Sequence, residues 1–272
     1  MPSDDLYALS RIIRALPGAV VAYSGGADSA LLAEVAHRSL GRNCIAVTAD
    51  SPSIPRSELE EAKNLATERG WRHLIVATTE LSDERYAVND ANRCAWCKTA
   101  LMDRLLPVGE GQGWPVLLGT NVDDLQDHRP GQSAAVSRGA LQPMVEAGLT
   151  KQQVRALSKE LGLETFDKPA AACLASRFAY GVRVTAEGLA RVERAEALLH
   201  DLGYRVVRVR DLGDDVARIE IGIEHLSDAM AERARLTGAV TGSGFATAEV
   251  DPGGYQQGAM NRALNLIEIG NR

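Results

Sequence analysis

The sequence predicts an α/β protein: a mainly parallel sheet with helices on both faces, followed by a smaller α+β domain. Three observations predict it. Short apolar runs alternate with helix-patterned segments up to about residue 165. After Gly148 the pattern changes to one helix-rich stretch and short strands of period two. The 272 residues, at about 150 per domain, leave room for two domains. The expected division is residues 1–167 and 168–272.

Ala19-Val-Val-Ala-Tyr23 is a buried-strand run that stops at Ser24-Gly25-Gly26. Asp28-Ser29 then opens a helix through Ala30 to Ala36, built from good helix formers. Cys44 to Thr48 is a second strand. Arg56 to Arg69 reads as an amphipathic helix, with Ser53 or Ser57 expected as its cap. His73 to Ala77 and Pro115 to Thr120 supply two more strands. Strands separated by helices at this spacing are βαβ units, which give parallel sheets. Thr150 is expected to cap a helix to Leu161, ended by Gly162. Lys168 to Cys173 is a proline-containing, small-residue loop. Beyond it come a helix over Thr185 to Leu202, strands over Arg205 to Arg210 and Ala217 to Gly222, a helix over Ser227 to Leu236, and a strand over Phe245 to Val250.

Composition excludes several classes. Hydrophobic residues are 45% and charged residues 24%, an ordinary globular balance. The net charge is −6, from 30 Lys and Arg against 36 Asp and Glu. An acidic chain is a poor generic binder of phosphate backbones, and 4% aromatics is thin for base stacking, so no nucleic-acid partner is expected. Met1-Pro-Ser-Asp-Asp begins acidic, unlike a signal peptide, and no run approaches about 18 apolar residues. No membrane partner is expected, and the expected setting is the reducing cytoplasm.

Ser24-Gly25-Gly26-Ala27-Asp28-Ser29 follows a buried strand and opens a helix. That position offers unspent backbone N–H groups and the positive end of a helix dipole, which suit an anion. Two glycines admit close approach, and Ser24 and Ser29 add hydroxyl donors. Asp28 suits a divalent cation, Mg²⁺, held on phosphates. No lysine follows and no GxGxxG is present, so kinase-type and dinucleotide-binding loops are poor matches.

The cysteines are Cys44, Cys94, Cys97 and Cys173. Cys44, inside a strand, reads as packing. Cys94-Ala-Trp-Cys97 lacks a second CxxC for zinc and the strand context of a thioredoxin. Two near thiols and a distant one suit an iron–sulfur cluster with one open iron. Spacing alone leaves three unrelated cysteines equally open. Arg177 is four residues past Cys173, a candidate cation for its thiolate. Arg208 and Arg210 share one strand face and suit an anion between them, with a salt bridge to Glu220 or Asp211 as the alternative. Trp96 reads either as a stacking surface or as an ordinary rim residue.

The anion loop resembles that of the ATP pyrophosphatases, the PP-loop superfamily, whose fold is Rossmann-like. The resemblance narrows at Lys168-Pro-Ala-Ala-Ala-Cys-Leu-Ala-Ser-Arg-Phe-Ala-Tyr-Gly181, Asn92 to Lys98, Gly119 to Pro130, Arg208-Val-Arg210 with Ala217-Arg-Ile-Glu220, and the Gly254-Tyr255 turn. Together these resemble the LarE family of ATP-dependent sulfur transferases, over nearly the whole chain.

The resemblance implies a transferase that adenylates a carboxylate of pyridinium-3,5-biscarboxylate mononucleotide, releases pyrophosphate and makes a thiocarboxylate for the nickel-pincer nucleotide of lactate racemase. It implies ATP contacts at Ser24, Gly25, Gly26, Asp28, Ser29, Asp50, Gly119, Thr120 and Asp124, with Mg²⁺ at Asp28. Substrate contacts fall on Arg177, Arg208 and Arg210, and a metal contact on Glu220. Some members sacrifice one cysteine, here Cys173. Others hold a [4Fe–4S] cluster on three, here Cys94, Cys97 and Cys173, and the cluster type is the expectation. A small-molecule nucleotide substrate and a homo-oligomer are also expected.

Gln126 and His128 stand where the family pattern has Gly and Tyr. The tail after Leu266 reads as no more than a short helix. The loop alone also fits a tRNA thiolase, an amide-forming synthetase or a nucleotide-sensing iron–sulfur module. Length and charge weigh against the first, and the Cys173 segment and arginine pair favour LarE.

Overall fold

In a computed structural model, the structure describes residues 3–126, 130–169 and 172–256. His128, the Ala170-Ala171 pair and the expected helix after Leu266 lie outside the described residues. The chain divides into two compact units. The first is Met1–Glu80 with Cys94–Ala171, and the second is Leu81–Arg93 with Ala172–Arg272. The second unit therefore borrows a short stretch from the middle of the first, which no composition shift announces.

The first unit runs α1 (Asp4–Arg14), β1 (Ala19–Ala22), α2 (Ala27–Leu40), β2 (Cys44–Asp50), α3 (Arg56–Glu68) and β3 (His73–Ala77). After α4 (Glu84–Ala87), in the borrowed stretch, come α5 (Arg93–Glu110), β4 (Val116–Leu118), α6 (Pro130–Val136), α7 (Pro143–Glu146) and α8 (Lys151–Glu160). Its four strands lie in the order β3-β2-β1-β4, all pairs parallel. Ala19, Val21, Ala46 and Leu117 face one layer with Leu31 and Leu32 of α2, Ile13 of α1 and Val154 of α8. Val20, Val47, Val116 and Leu118 face the other, with Met102 and Leu105 of α5. Burial on both faces explains why these strands read as continuous apolar runs.

Thr150 caps α8 as expected, in a reciprocal capping box with Gln153. Neither Ser53 nor Ser57 caps α3. Its N-cap is Pro55, with no side-chain bond. Ser51 closes the preceding turn instead, its Oγ accepting the Ser53 N–H at 3.0 Å.

The second unit contains α9 (Ala186–Asp201), β5 (Val207–Asp211), β6 (Val216–Ile221), α10 (Leu226–Ala231), α11 (Arg233–Gly242) and β7 (Thr247–Val250). β5 pairs antiparallel with β6, and β6 parallel with β7. Val207, Val209, Ile219 and Ile221 are fully buried, while Arg208, Arg210, Arg218 and Glu220 share the opposite face. The expected single helix over Ser227 to Leu236 is two. Glu232, with φ −95° and ψ 14°, leaves the helical region between them, and the second continues to Gly242. Among the described residues, no helix is long and apolar enough to cross a membrane.

Candidate active site

In the first unit the strand order reverses at β1, because β2 lies on one side of it and β4 on the other. Ligands of open α/β sheets bind at the carboxyl ends of the strands at such a switch point. The loop Ser24 to Gly26 leaves β1 there, and Gly119-Thr120 leaves β4. Ser29 ties the loop into shape. Its Oγ accepts the Ser24 N–H at 3.1 Å and lies 3.1 Å from both the Gly26 carbonyl and Ser24 Oγ. Gly25 has φ +77°, a left-handed conformation that suits glycine, and a Cβ there would lie 3.1 Å from the Ala62 Cβ of α3. A Cβ on Gly119 would lie 2.8 Å from the Ser29 nitrogen, so β4 ends directly against the start of α2.

The carboxylates beside the loop are all engaged. Asp28 accepts from Asn121 Nδ2 at 3.1 Å and is paired with the Lys151 ammonium. Asp124 accepts the Asn121 N–H at 3.1 Å and closes that turn. Asp123 accepts the Lys151 N–H at 2.6 Å. Asp50, at the end of β2, is paired with Arg56 at 2.6 Å. Thr120 and Asn121 are buried. Lys168 reaches the loop as well: its Nζ bonds Glu58 at 2.6 Å and Glu61 at 2.8 Å and lies 3.5 Å from the Gly25 carbonyl oxygen. Sequence reasoning missed Asn121, Lys151 and Lys168 as site residues. The absence of a lysine after the glycines was legible, but not which lysines replace it.

Cys94 and Cys97 sit in the first two turns of α5, Cys94 exposed and Cys97 half-buried, as is Trp96. Cys44 is buried at the start of β2, and burial pushes its thiol pKa up to about 12.

In the second unit Cys173 is half-buried and precedes a 3-10 turn over Leu174–Arg177. Its carbonyl accepts from the Ser176 N–H at 2.9 Å, Ser176 Oγ at 2.7 Å and Arg177 Nη1 at 3.1 Å. Arg177 is spent on this loop and on Glu196, not left beside the thiol as a bare cation. Its Nη1 also donates to the Ala172 carbonyl at 2.6 Å, and Nε and Nη2 both reach Glu196. Arg93, the residue before Cys94, donates to the Ala175 carbonyl at 2.7 Å. It also bonds Asn89 Oδ1.

Arg210 donates to Glu220 at 2.7 Å and to the Ser176 carbonyl at 2.9 Å, while its buried Nε has no hydrogen-bond partner among the described residues. The structure thus pairs Arg210 with Glu220, the alternative that the sequence left open. Arg208 bonds the Val207 carbonyl and lies 5.2 Å from the centre of the Tyr255 ring. Burial, and then the charges of Arg177 and Arg210 against the opposing pull of Glu196, hold its proton affinity below the ordinary guanidinium value. Crowded cations with an unspent N–H make a site whose electrostatics improve when an anion enters.

Among the described residues, no three His, Cys, Asp or Glu side chains are grouped as a metal site. Magnesium needs no such group, since it takes one or two carboxylates and completes its shell with water and phosphate oxygens. Asp28 has the chemistry for that role and would fill it by giving up its Lys151 partner. Cys94, Cys97 and Cys173 are thiols of the type that holds iron–sulfur clusters, and none is fully buried.

No protein-family profile matches the chain. It is 42% identical over 267 residues to an uncharacterized protein of Synechocystis sp., covering 97% of this chain and 99% of that protein. It is 34% identical over 259 residues to the pyridinium-3,5-bisthiocarboxylic acid mononucleotide synthase of Lactiplantibacillus plantarum, covering 94% of each. Among solved structures, the NMN synthetase of Francisella tularensis superposes with a TM-score of 0.53 at 20% identity, over 63% of this chain and 76% of that one. At that identity the likeness shows a shared fold and nothing further.

Proposed function

The chain belongs to the LarE family, and on that premise we propose that it is an ATP-dependent sulfurtransferase making the thiocarboxylate of a pyridinium dicarboxylate mononucleotide. The observation that carries the proposal is the end-to-end match to the Lactiplantibacillus plantarum synthase, which takes in both the anion loop and the Cys173 segment.

The chemistry needs two steps. A carboxylate is a poor electrophile because its leaving group would be oxide. Its oxygen attacks the α-phosphorus of ATP, the bond to the β-phosphate breaks, and pyrophosphate leaves with the electron pair. A sulfur nucleophile then attacks the acyl carbon, and AMP departs with the C–O bond pair.

In this reading Ser24, Gly25, Gly26 and Ser29 cradle the phosphates. Gly119, Thr120 and Asp50 line the nucleotide site, and Asp124 braces it through Asn121. Asp28 would hold Mg²⁺, which supplies charge neutralisation on the phosphates. Arg208 takes the substrate phosphate. Arg210, already bonded to Glu220, offers its remaining Nε–H, and Arg177 fixes the Cys173 loop. Glu220 is a metal contact only if it leaves Arg210. Cys94, Cys97 and Cys173 would hold a [4Fe–4S] cluster, which supplies an iron able to carry an added sulfide.

The test is anaerobic purification, iron analysis and an ATP-dependent assay for thiocarboxylate on the dicarboxylate nucleotide. Iron bound to wild type and lost in Cys94→Ala, Cys97→Ala and Cys173→Ala, with product formation lost too, is the expected result. An iron-free protein that turns over once and loses about 34 Da, the elements of hydrogen sulfide, with that sulfur recovered in the product thiocarboxylate, identifies Cys173 as a sacrificial donor instead. Full activity in Cys173→Ala overturns both sulfur routes.

A further inference from the structure

An anion loop without its own lysine still faces the most negative part of ATP. The fold brings two lysines to it, from 123 and 143 residues away. Lys151 is spent on Asp28. Lys168 is different. An ammonium has three N–H donors. Two are used at good length, on Glu58 at 2.6 Å and Glu61 at 2.8 Å. Among the described residues the third has only the Gly25 carbonyl, at 3.5 Å, the outer limit of a hydrogen bond. It therefore points at the loop with little to hold. The Lys168 side chain is 16% exposed, so it is fixed there and not waving in solvent. The two glutamates keep the ammonium charged against burial and raise its proton affinity.

Those glutamates need explaining. They sit on the first two turns of α3, the helix that packs Ala62 against Gly25. Unscreened, they would repel a triphosphate at the loop. Resting against Lys168, they are neutralised in part.

We propose that Lys168 binds the β- and γ-phosphates of ATP and stabilises pyrophosphate as it leaves. This rests on the ATP reading above. When the Pα–O bond breaks, negative charge grows on the β-phosphate oxygen, and the third N–H of Lys168 meets it. AMP, which lacks those phosphates, gains nothing from Lys168.

The test uses the full-length protein, with Mg²⁺, and calorimetric titration of ATP, AMP and inorganic pyrophosphate. Lys168→Gln is expected to weaken pyrophosphate and ATP binding by about tenfold or more, the size of one charge-assisted hydrogen bond, and to leave AMP binding within about twofold. Exchange of labelled pyrophosphate into ATP should fall at least as far. A double variant, Glu58→Gln with Glu61→Gln, breaks the same ion pairs but keeps the lysine. It is expected to bind pyrophosphate as tightly as wild type or more tightly. It also decides the matter if Lys168→Gln does not fold. Equal loss of AMP and pyrophosphate binding in Lys168→Gln, unchanged pyrophosphate binding in it, or weakened pyrophosphate binding in the double variant each overturns the role of Lys168. A wild type that binds neither ATP nor AMP overturns the ATP reading itself.

Discussion

Arg177 meets Glu196 edge to edge: Nε and Nη2 donate to separate carboxylate oxygens at 3.0 and 2.9 Å, and both side chains are buried. The same Glu196 oxygen that takes Nε also accepts the Val209 N–H of β5 at 2.9 Å. One ion pair thus joins the Cys173 loop, α9 and the small sheet. Removing one partner of a buried pair strands the other charge. Arg177→Met should cost about 3–5 kcal/mol in urea unfolding, and Arg177→Met with Glu196→Met should recover most of it.

Asn89 is fully buried with φ 58°. Its amide donates to the Ala179 carbonyl at 2.7 Å and to Val182 at 3.0 Å, and its own carbonyl accepts from Gly181. Asn89→Ala loses the amide and adds left-handed strain. Asn89→Gly loses only the amide. Both should destabilise the protein, with alanine worse by about 1–2 kcal/mol in the same measurement.

His73 has a pH signature. Thr48 Oγ1 donates to the Tyr23 carbonyl at 2.8 Å and so accepts from His73 Nε2, also at 2.8 Å. Burial, and then Lys63, holds the imidazole's pKa below its ordinary 6.5. The unfolded chain therefore binds the proton first as pH falls. Stability from neutral His73 is complete above about pH 6.5 and is lost below it. Thermal unfolding between pH 7 and 5 should show a smaller drop for His73→Gln than for wild type.

The cysteines should separate by reactivity. With its thiol pushed up to about 12, Cys44 stays protonated at pH 8.5 and is walled off from reagent. Alkylation of the metal-free protein, followed by peptide mass spectrometry, should label exposed Cys94 early and Cys44 only with denaturant. Cys44→Ala should lower stability by about 1 kcal/mol, the scale of a small core truncation, and leave iron content unchanged.

What was legible in the sequence was local or periodic. The parallel strands announce themselves because both faces are buried, so Val20-Val21 and Leu117-Leu118 leave no polar break. Thr150 caps its helix because its partner Gln153 is three residues away. The α3 cap was misread because a serine near a helix start resembles a cap whether or not its oxygen reaches the helix. Lys151, Lys168 and Asn89 were missed for another reason. Their meaning lies in partners about 90 to 143 residues distant, and a lone Lys or Asn carries no periodicity to reveal it. The pairing of Arg210 with Glu220 lay between: strand alternation put both on one face, but the register sets Arg208 directly opposite Glu220, and Arg210 reaches that carboxylate from the diagonal position.

The borrowed stretch Leu81–Arg93 also dictates an order of assembly. As the chain leaves the ribosome, this stretch emerges well before its partners at Ala175, Ala179 and Val184. The rest of the first unit must be synthesised in between. Asn89 and Arg93 therefore keep water as their partner until the Cys173 loop and the segment after it supply the carbonyls of Ala175 and Ala179. A fragment starting at Ala172 would lack them altogether, so no single cut in this polypeptide yields two intact halves.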